Sequence, residues 1–217
     1  VSSILEYNIQ SFSSNSDINL LNEIYLLNQS NTPEVGSLDS VDHLQNLLQM
    51  SLLNLFVSNN EEMIGFIICF KENSNYSSKN YKFFSKREKK FLYIDRVAIA
   101  EKHRRKGLGK ILYNKLENLC IENKIPLCCE VNTFPMNKPS IDFHKNLGFI
   151  EVGKKTFTQN EGSRSGKSSV VYFKKDISKS IKIFEEKLGH NSEFFSYPFG
   201  EYSLEFKEII KKMGFKF

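Results

Sequence analysis

The sequence predicts an α/β fold built on a mixed sheet, and three observations carry that prediction. In residues 91–119 an apolar run, FLYIDRVAIA, passes through EKHRRKGLG into an amphipathic segment, KILYNKLENL, so a strand leads by a glycine-bearing turn into a helix. In residues 127–149 the strand LCCEV leads into NTFPMNKPSIDFHKNLGF, a loop and a helix that ends in Leu-Gly-Phe. Strands and helices alternate around both stretches, the pattern of α/β proteins.

The elements follow in order. Residues 4–11 read as an edge strand. Ser16-Asp17 caps a helix whose Leu20, Leu21, Ile24 and Leu27 recur at helical spacing. A loop with Pro33 and Gly36 follows, then a second helix over 41–50. Residues 52–57 and 63–70 read as antiparallel strands joined by 58–62. Residues 71–89, KENSNYSSKNYKFFSKREK, read as a long polar connection, of the kind that covers a site. After the glycine turn and its helix come a strand at 126–131, a helix at 139–147, and strands at 149–157 and 169–174. Beyond these, Ile177, Ile181, Phe184 and Leu188 make one helical stripe and Phe206, Ile209, Ile210 and Met213 another, separated by EFFSYPFGEYS.

At 217 residues, 40% hydrophobic and 25% charged, the chain is long enough for one substantial core and part of a second unit. No apolar run approaches the ~18 residues that span a bilayer, and VSSILEYNIQSFSS lacks a basic start and a signal-type apolar block, so no membrane association and a cytoplasmic setting are expected. Cys69, Cys120, Cys128 and Cys129 all fall inside strands or helices, which reads as buried free thiols, with no metal. The net charge of +5 is spread along the chain apart from residues 103–106, and no nucleic-acid module is legible. The chain opens on Val1 and stops at Phe217, so a piece of a longer frame is expected; an alternative start codon would also leave Val first. Residues 162–168, GSRSGKS, imitate a phosphate loop, but three residues separate the glycines where that motif needs four, so a polar hairpin loop is expected.

The turn at 104–110 is where chemistry is expected. Gly107 and Gly109 let backbone approach a ligand closely, and the free N–H groups of a helix start favour an anion there. Arg104, Arg105 and Lys106 add charged donors beside them. The spacing resembles the R/Q-x-x-G-x-G/A motif of the GNAT acyltransferases, matched by Arg104, Gly107 and Gly109, and 127–149 resembles the family's next strand, loop and helix. The resemblance covers residues 3–175.

It implies the GNAT fold: a mixed sheet splayed at its two central parallel strands, with helices around it. It also implies acetyl-CoA as co-substrate, without metal, and direct transfer in a ternary complex to a primary amine of a small molecule or peptide, amino sugars included. A homodimer is compatible with it. By motif, Val97, Ala98 and Ile99 would meet pantetheine through backbone groups, and Arg104, Arg105, Lys106, Gly107, Leu108, Gly109 and Lys110 would hold pyrophosphate. Asn132, Asn137, Ser140 and Phe143 would line the cofactor side, and the backbone N–H near Val97 would donate to the thioester oxygen. Where many relatives carry a Tyr that protonates the departing thiolate, four residues before the Gly of Gly-Phe, this chain has His144. An imidazolium of pKa ~6.5 is a stronger acid than a phenol, and such a group would titrate near neutrality. Asp95 and Glu130, one on each central strand, are the base candidates; Asp95 has Arg96 or Arg105 as alternative partners, and Tyr93 shares its face. Residues 28–39 and 76–84 would face the acceptor. A CoA-binding sensor or docking module is the alternative to an enzyme.

Residues 176–217 resemble the C-terminal part of NodB-like polysaccharide deacetylases through SYPFGEYS and the late Gly-Phe. The Asp pair and H-x-x-x-H metal motif of that chemistry are absent, so this extension of two helices is expected to be no hydrolase.

Overall fold

In the computed structural model, residues 7–59, 62–158 and 167–176 are described. The elements run β1 (Tyr7–Ser11), α1 (Ile18–Gln29), α2 (Val41–Met50), β2 (Leu53–Asn59), β3 (Glu62–Lys71), α3 (Lys79–Ser85), β4 (Leu92–Ile99), α4 (Leu108–Asn123), β5 (Leu127–Phe134), α5 (Lys138–Asn146), β6 (Ile150–Thr158) and β7 (Lys167–Lys175). The expected stripes at 177–188 and 206–213, and residues 162–166 of the phosphate-loop imitation, lie outside the described residues, as do 4–6 of the first strand.

The strands form one sheet in the order β1-β2-β3-β4-β5-β7-β6. Every neighbouring pair is antiparallel except β4 and β5. Because side chains alternate along a strand, adjacent residues serve two cores. Phe66, Phe70, Tyr93, Cys128 and Tyr172 pack with α1, α2 and α3 on one face, while Ile67, Ile94, Cys129, Val171 and Phe173 pack under α4 and α5 on the other. All four cysteines are buried free thiols.

Local signals account for the helix starts. Asp17 accepts from the Asn19 N–H and Ser40 from the His43 N–H, caps worth ~1 kcal/mol each. The expected connection at 71–89 contains α3, which is a correction to the sequence reading. This short helix has no apolar stripe to announce it; Ser78 caps it and only Tyr81 and Phe84 are buried. Tyr81 lies against Phe70, Phe91 and Tyr93, so packing in an aromatic cluster stabilises a helix that would be marginal alone. Among the described residues no helix is long and apolar enough to cross a membrane.

Candidate active site

β4 and β5 pair over only three positions, Leu92 with Leu127, Tyr93 with Cys128 and Ile94 with Cys129. β4 continues along β3 to Ile99, and β5 along β7 to Phe134. The two strands therefore splay, and from Asp95 and Glu130 onward the facing backbone edges lack a strand partner across the gap. A small cleft of ≈ 70 Å³ occupies the splay, with Val97, Tyr113, Glu130, Asn132 and His144 in its lining.

The two carboxyl candidates are distinguished by their partners. Asp95 accepts from the Tyr76 hydroxyl at 2.6 Å and from Arg96 Nε at 2.8 Å. Of the two alternative partners read from sequence, Arg96 is the one it meets. Arg96 Nη1 also donates to Asn28 Oδ1 at 2.9 Å and to the Gly36 carbonyl at 3.2 Å, tying the α1–α2 loop to β4. Removing one partner of a buried pair of this kind costs ~3–5 kcal/mol, so Asp95 has a structural task.

Glu130 is the first residue past the last β4–β5 pair. It accepts from the Tyr93 hydroxyl at 2.7 Å and from Asn80 Nδ2 at 2.9 Å, and Tyr172 donates to Asn80 Oδ1 at 3.0 Å and so orients that amide. Burial, then the nearby Asp95 charge, push its pKa up to about 8, against the pull of its hydrogen bonds. Burial, followed by carboxylate neighbours, also raises the Tyr76 and Tyr93 hydroxyls above their ordinary value, so both remain donors at neutral pH.

The turn before α4 uses two left-handed residues, Arg105 at φ 61° and Gly107 at φ 82°. Gly107 is the N-cap and no side chain caps the helix; its first ladder bond beyond the turn is Ile111 N–H to the Gly107 carbonyl. The N–H groups of Leu108, Gly109 and Lys110 thus precede the ladder and keep donors for an anion. A Cβ on Gly107 would meet nothing within 4 Å, so the cradle is open. A Cβ on Gly109 would stand 3.3 Å from the Phe143 ring, so this glycine lets α5 approach α4.

Arg105 and Lys106 are exposed at the turn. Arg104 is committed to protein, donating to Asn31 Oδ1 at 2.7 Å and the Ile99 carbonyl at 3.2 Å. Asn132 donates to the Pro33 carbonyl at 3.1 Å, a further tie on the α1–α2 loop. Asn137 is the N-cap of α5, accepting from Ser140 N–H at 3.1 Å.

His144 is buried, and its Nδ1 is 2.7 Å from the Ser140 carbonyl. A carbonyl can only accept, so Nδ1 carries the proton and Nε2 accepts from the Tyr113 hydroxyl at 2.7 Å. Burial lowers the imidazole pKa to about 4, although the Ser140 bond pulls the other way. The expected titration near neutrality is therefore corrected: His144 is neutral at pH 7. A depressed pKa adds stability that is present above the unfolded value of ~6.5 and lost as pH falls toward 4, here roughly 3 kcal/mol. In urea unfolding, the stability of the wild type relative to His144→Leu should fall by that amount as pH drops from 6.5 toward 4; a difference that does not change with pH would refute the shift.

Tyr113 was not read from sequence as a site residue, and Asn80 was read only as part of the acceptor-facing stretch 76–84. The only signal for Tyr113 is a polar-tipped aromatic inside the apolar stripe of α4, and Asn80 belongs to the helix that sequence reading missed. Among the described residues no group of three or more His, Cys, Asp or Glu could hold a metal ion.

The site thus sets a splayed parallel pair beside an uncapped glycine turn. The model of the acetyltransferase (GNAT) family matches residues 21–149, more than half of the sequence, and the chain belongs to that family and is an acyltransferase. A polysaccharide deacetylase model matches residues 138–217. No curated protein matches the sequence. Among solved structures, NAA60 of Arabidopsis thaliana in complex with acetyl-CoA is similar, with TM-score 0.60, 16% identity, and 80% of this chain and 99% of that one covered. The ribosomal-protein-S18-alanine N-acetyltransferase of Escherichia coli gives TM-score 0.54 at 17% identity over 78% and 92%. An N-acetyltransferase of Staphylococcus aureus Mu50 gives 0.57 at 15% over 79% and 99%.

Proposed function

We propose that residues 1–175 form an N-acetyltransferase domain that moves the acetyl group of acetyl-CoA to a primary amine, and that 176–217 are an extension of it. The observation that carries this reading is the opening between β4 and β5, with Glu130 at its apex and an open anion cradle on the helix that follows β4. The cradle fits a pyrophosphate: the backbone N–H groups of 107–110 would hold it, with Arg105, Lys106 and Lys110 as counter-charges. Arg104 supports the cradle through Asn31. The free edge at Val97, Ala98 and Ile99 offers backbone partners to pantetheine, and Asn132, Asn137, Ser140 and Phe143 stand on the opposite side. Acetyl-CoA supplies an activated acyl carbon and a thiolate leaving group.

Glu130 is the base. A carboxyl with pKa about 8 is matched to an amine far better than an ordinary one, and activity should rise with pH through that value. As the nitrogen–carbon bond forms and the carbon–sulfur bond breaks, nitrogen gives up two protons. Glu130 takes one, and the other passes to the departing thiolate beside the Tyr113–His144 pair, so the protons balance. The N–H at Val97 faces the carbonyl oxygen as its charge grows. Asp95 acts by holding Arg96 and Tyr76 at the acceptor side.

The acceptor enters between the α1–α2 loop and α3. The similar Escherichia coli protein is a ribosomal-protein-S18-alanine N-acetyltransferase, which supports a protein amine as one class to test. Four buried free thiols fit a reducing, cytoplasmic setting. Thiol release from acetyl-CoA, measured against amino acids, peptides, polyamines and amino sugars, tests the function. Release that depends on an amine supports it, and tight CoA binding with no release for any amine would make the domain a binding module.

A further inference from the structure

Glu130 is held through both oxygens, Oε2 by the Tyr93 hydroxyl at 2.7 Å and Oε1 by Asn80 Nδ2 at 2.9 Å. Asn80 sits in the first turn of α3, its backbone N–H bonded to the cap Ser78, and its Oδ1 is 3.0 Å from the hydroxyl of Tyr172 on β7. Tyr172 is fully buried, and its ring stacks on Phe83 of α3 with centroids 3.8 Å apart. Gly153 of β6 pairs with Tyr172 and leaves room for that stack, since a Cβ there would stand 2.9 Å from the Phe83 ring. One short helix thus places an amide on Glu130 and a ring on the residue that holds the amide.

The direction of these bonds follows from the groups themselves. An ionised carboxylate only accepts, so Nδ2 must face Glu130 and Oδ1 must face Tyr172, whose hydroxyl donates. Turned over, the amide would present its oxygen to Glu130, which suits only the protonated carboxyl. The Tyr172 hydrogen would then lose its bond in a buried place, which is costly. Tyr172 therefore opposes the amide orientation that favours a protonated Glu130.

We propose that Tyr172 and Asn80 are positioning residues for the base: Tyr172 holds the amide as a donor to Glu130, which keeps that carboxyl able to ionise and take the amine proton. This role rests on Glu130 being the base. Of the other groups that face Glu130, Tyr93 on β4, Tyr76 before α3 and Tyr113 on α4 are hydroxyls that burial holds above their ordinary value, and the Cys129 thiol is raised in the same way. His144 of α5 is neutral at pH 7. The nearby charges are Asp95, paired with Arg96 at 2.8 Å, and Glu34, exposed at the cleft.

Two variants of the full chain test it. Tyr172→Phe removes one oxygen and keeps the stack, and Asn80→Ala removes the donor. Urea unfolding of each, with and without Glu130→Gln, reads the ionisation without substrate. The advantage of a protonated carboxyl falls as pH rises and levels off at its folded pKa, about 8 in the wild type. In either variant it should level off about one pH unit higher, and in the double variant no higher than in Asn80→Ala, because Tyr172 acts through the amide. With an active amine, kcat/KM relative to the wild type should fall ~10-fold at pH 7 and return to within about 2-fold by pH 10. An unchanged levelling point in Tyr172→Phe would overturn the proposal, as would a rate lowered equally at every pH, the mark of a merely structural role. A levelling point that moves while the rate stays full at every pH would leave the relay standing and remove Glu130 as the base.

Discussion

Glu130→Gln is expected to lower kcat with an amine acceptor by 10²–10⁴-fold at pH 8 and yet raise thermal stability. Both effects come from one cause. The carboxyl stays protonated in the fold up to about pH 8, because ionising it means placing a charge in a buried site beside Asp95. A raised carboxyl pKa favours the fold below the unfolded value of ~4.5, and that advantage is lost as pH rises through 8, a difference of up to roughly 5 kcal/mol. Glutamine keeps the shape, can still bond Tyr93 and Asn80, and never ionises. The variant should therefore melt about 5 °C or more above the wild type at pH 9, and near it at pH 5. KM for acetyl-CoA should hold, because Glu130 is not in the cradle. Full kcat in Glu130→Gln would remove the base, and equal melting at pH 9 would remove the shift.

Gly107→Asp is expected to weaken acetyl-CoA binding by about 100-fold with the fold retained. Aspartate tolerates the left-handed region at ~1 kcal/mol, and the space around a Cβ there is empty. Its carboxylate would instead accept the N–H groups that open α4 and repel pyrophosphate, a loss of ~3 kcal/mol for donors to a charged group. Titration calorimetry reads this directly. Unchanged affinity would place the phosphates elsewhere.

The cradle was legible because its cause is local: glycine at φ 82° and an uncapped helix start leave their mark within six residues. The sheet was legible from alternation and from β-branched and aromatic runs. What sequence could not separate was Asp95 from Glu130, since each is a carboxylate on a central strand. They differ through Arg96 and Tyr76 on one side and Tyr93 and Asn80 on the other, and Asn80 is 50 residues from the carboxyl it meets. His144 was legible as a position but not as a charge state, which depends on burial and on Tyr113, 31 residues away. Gly109 matched a phosphate-binding pattern, whereas its closest neighbour in the fold is the Phe143 ring. α3 stayed hidden because packing, and no periodicity of its own, makes it a helix.

Mass balance on the wild-type chain tests whether this splay carries an acetyl group from sulfur to nitrogen. Free CoA thiol and acetylated amine should be quantified by mass spectrometry from the same reaction, across pH 6.5–9 and with each active amine. One amide is expected for each thiol, at a rate that climbs through about pH 8. Thiol released with free acetate and no amide, or a rate that is flat across that range, would contradict it.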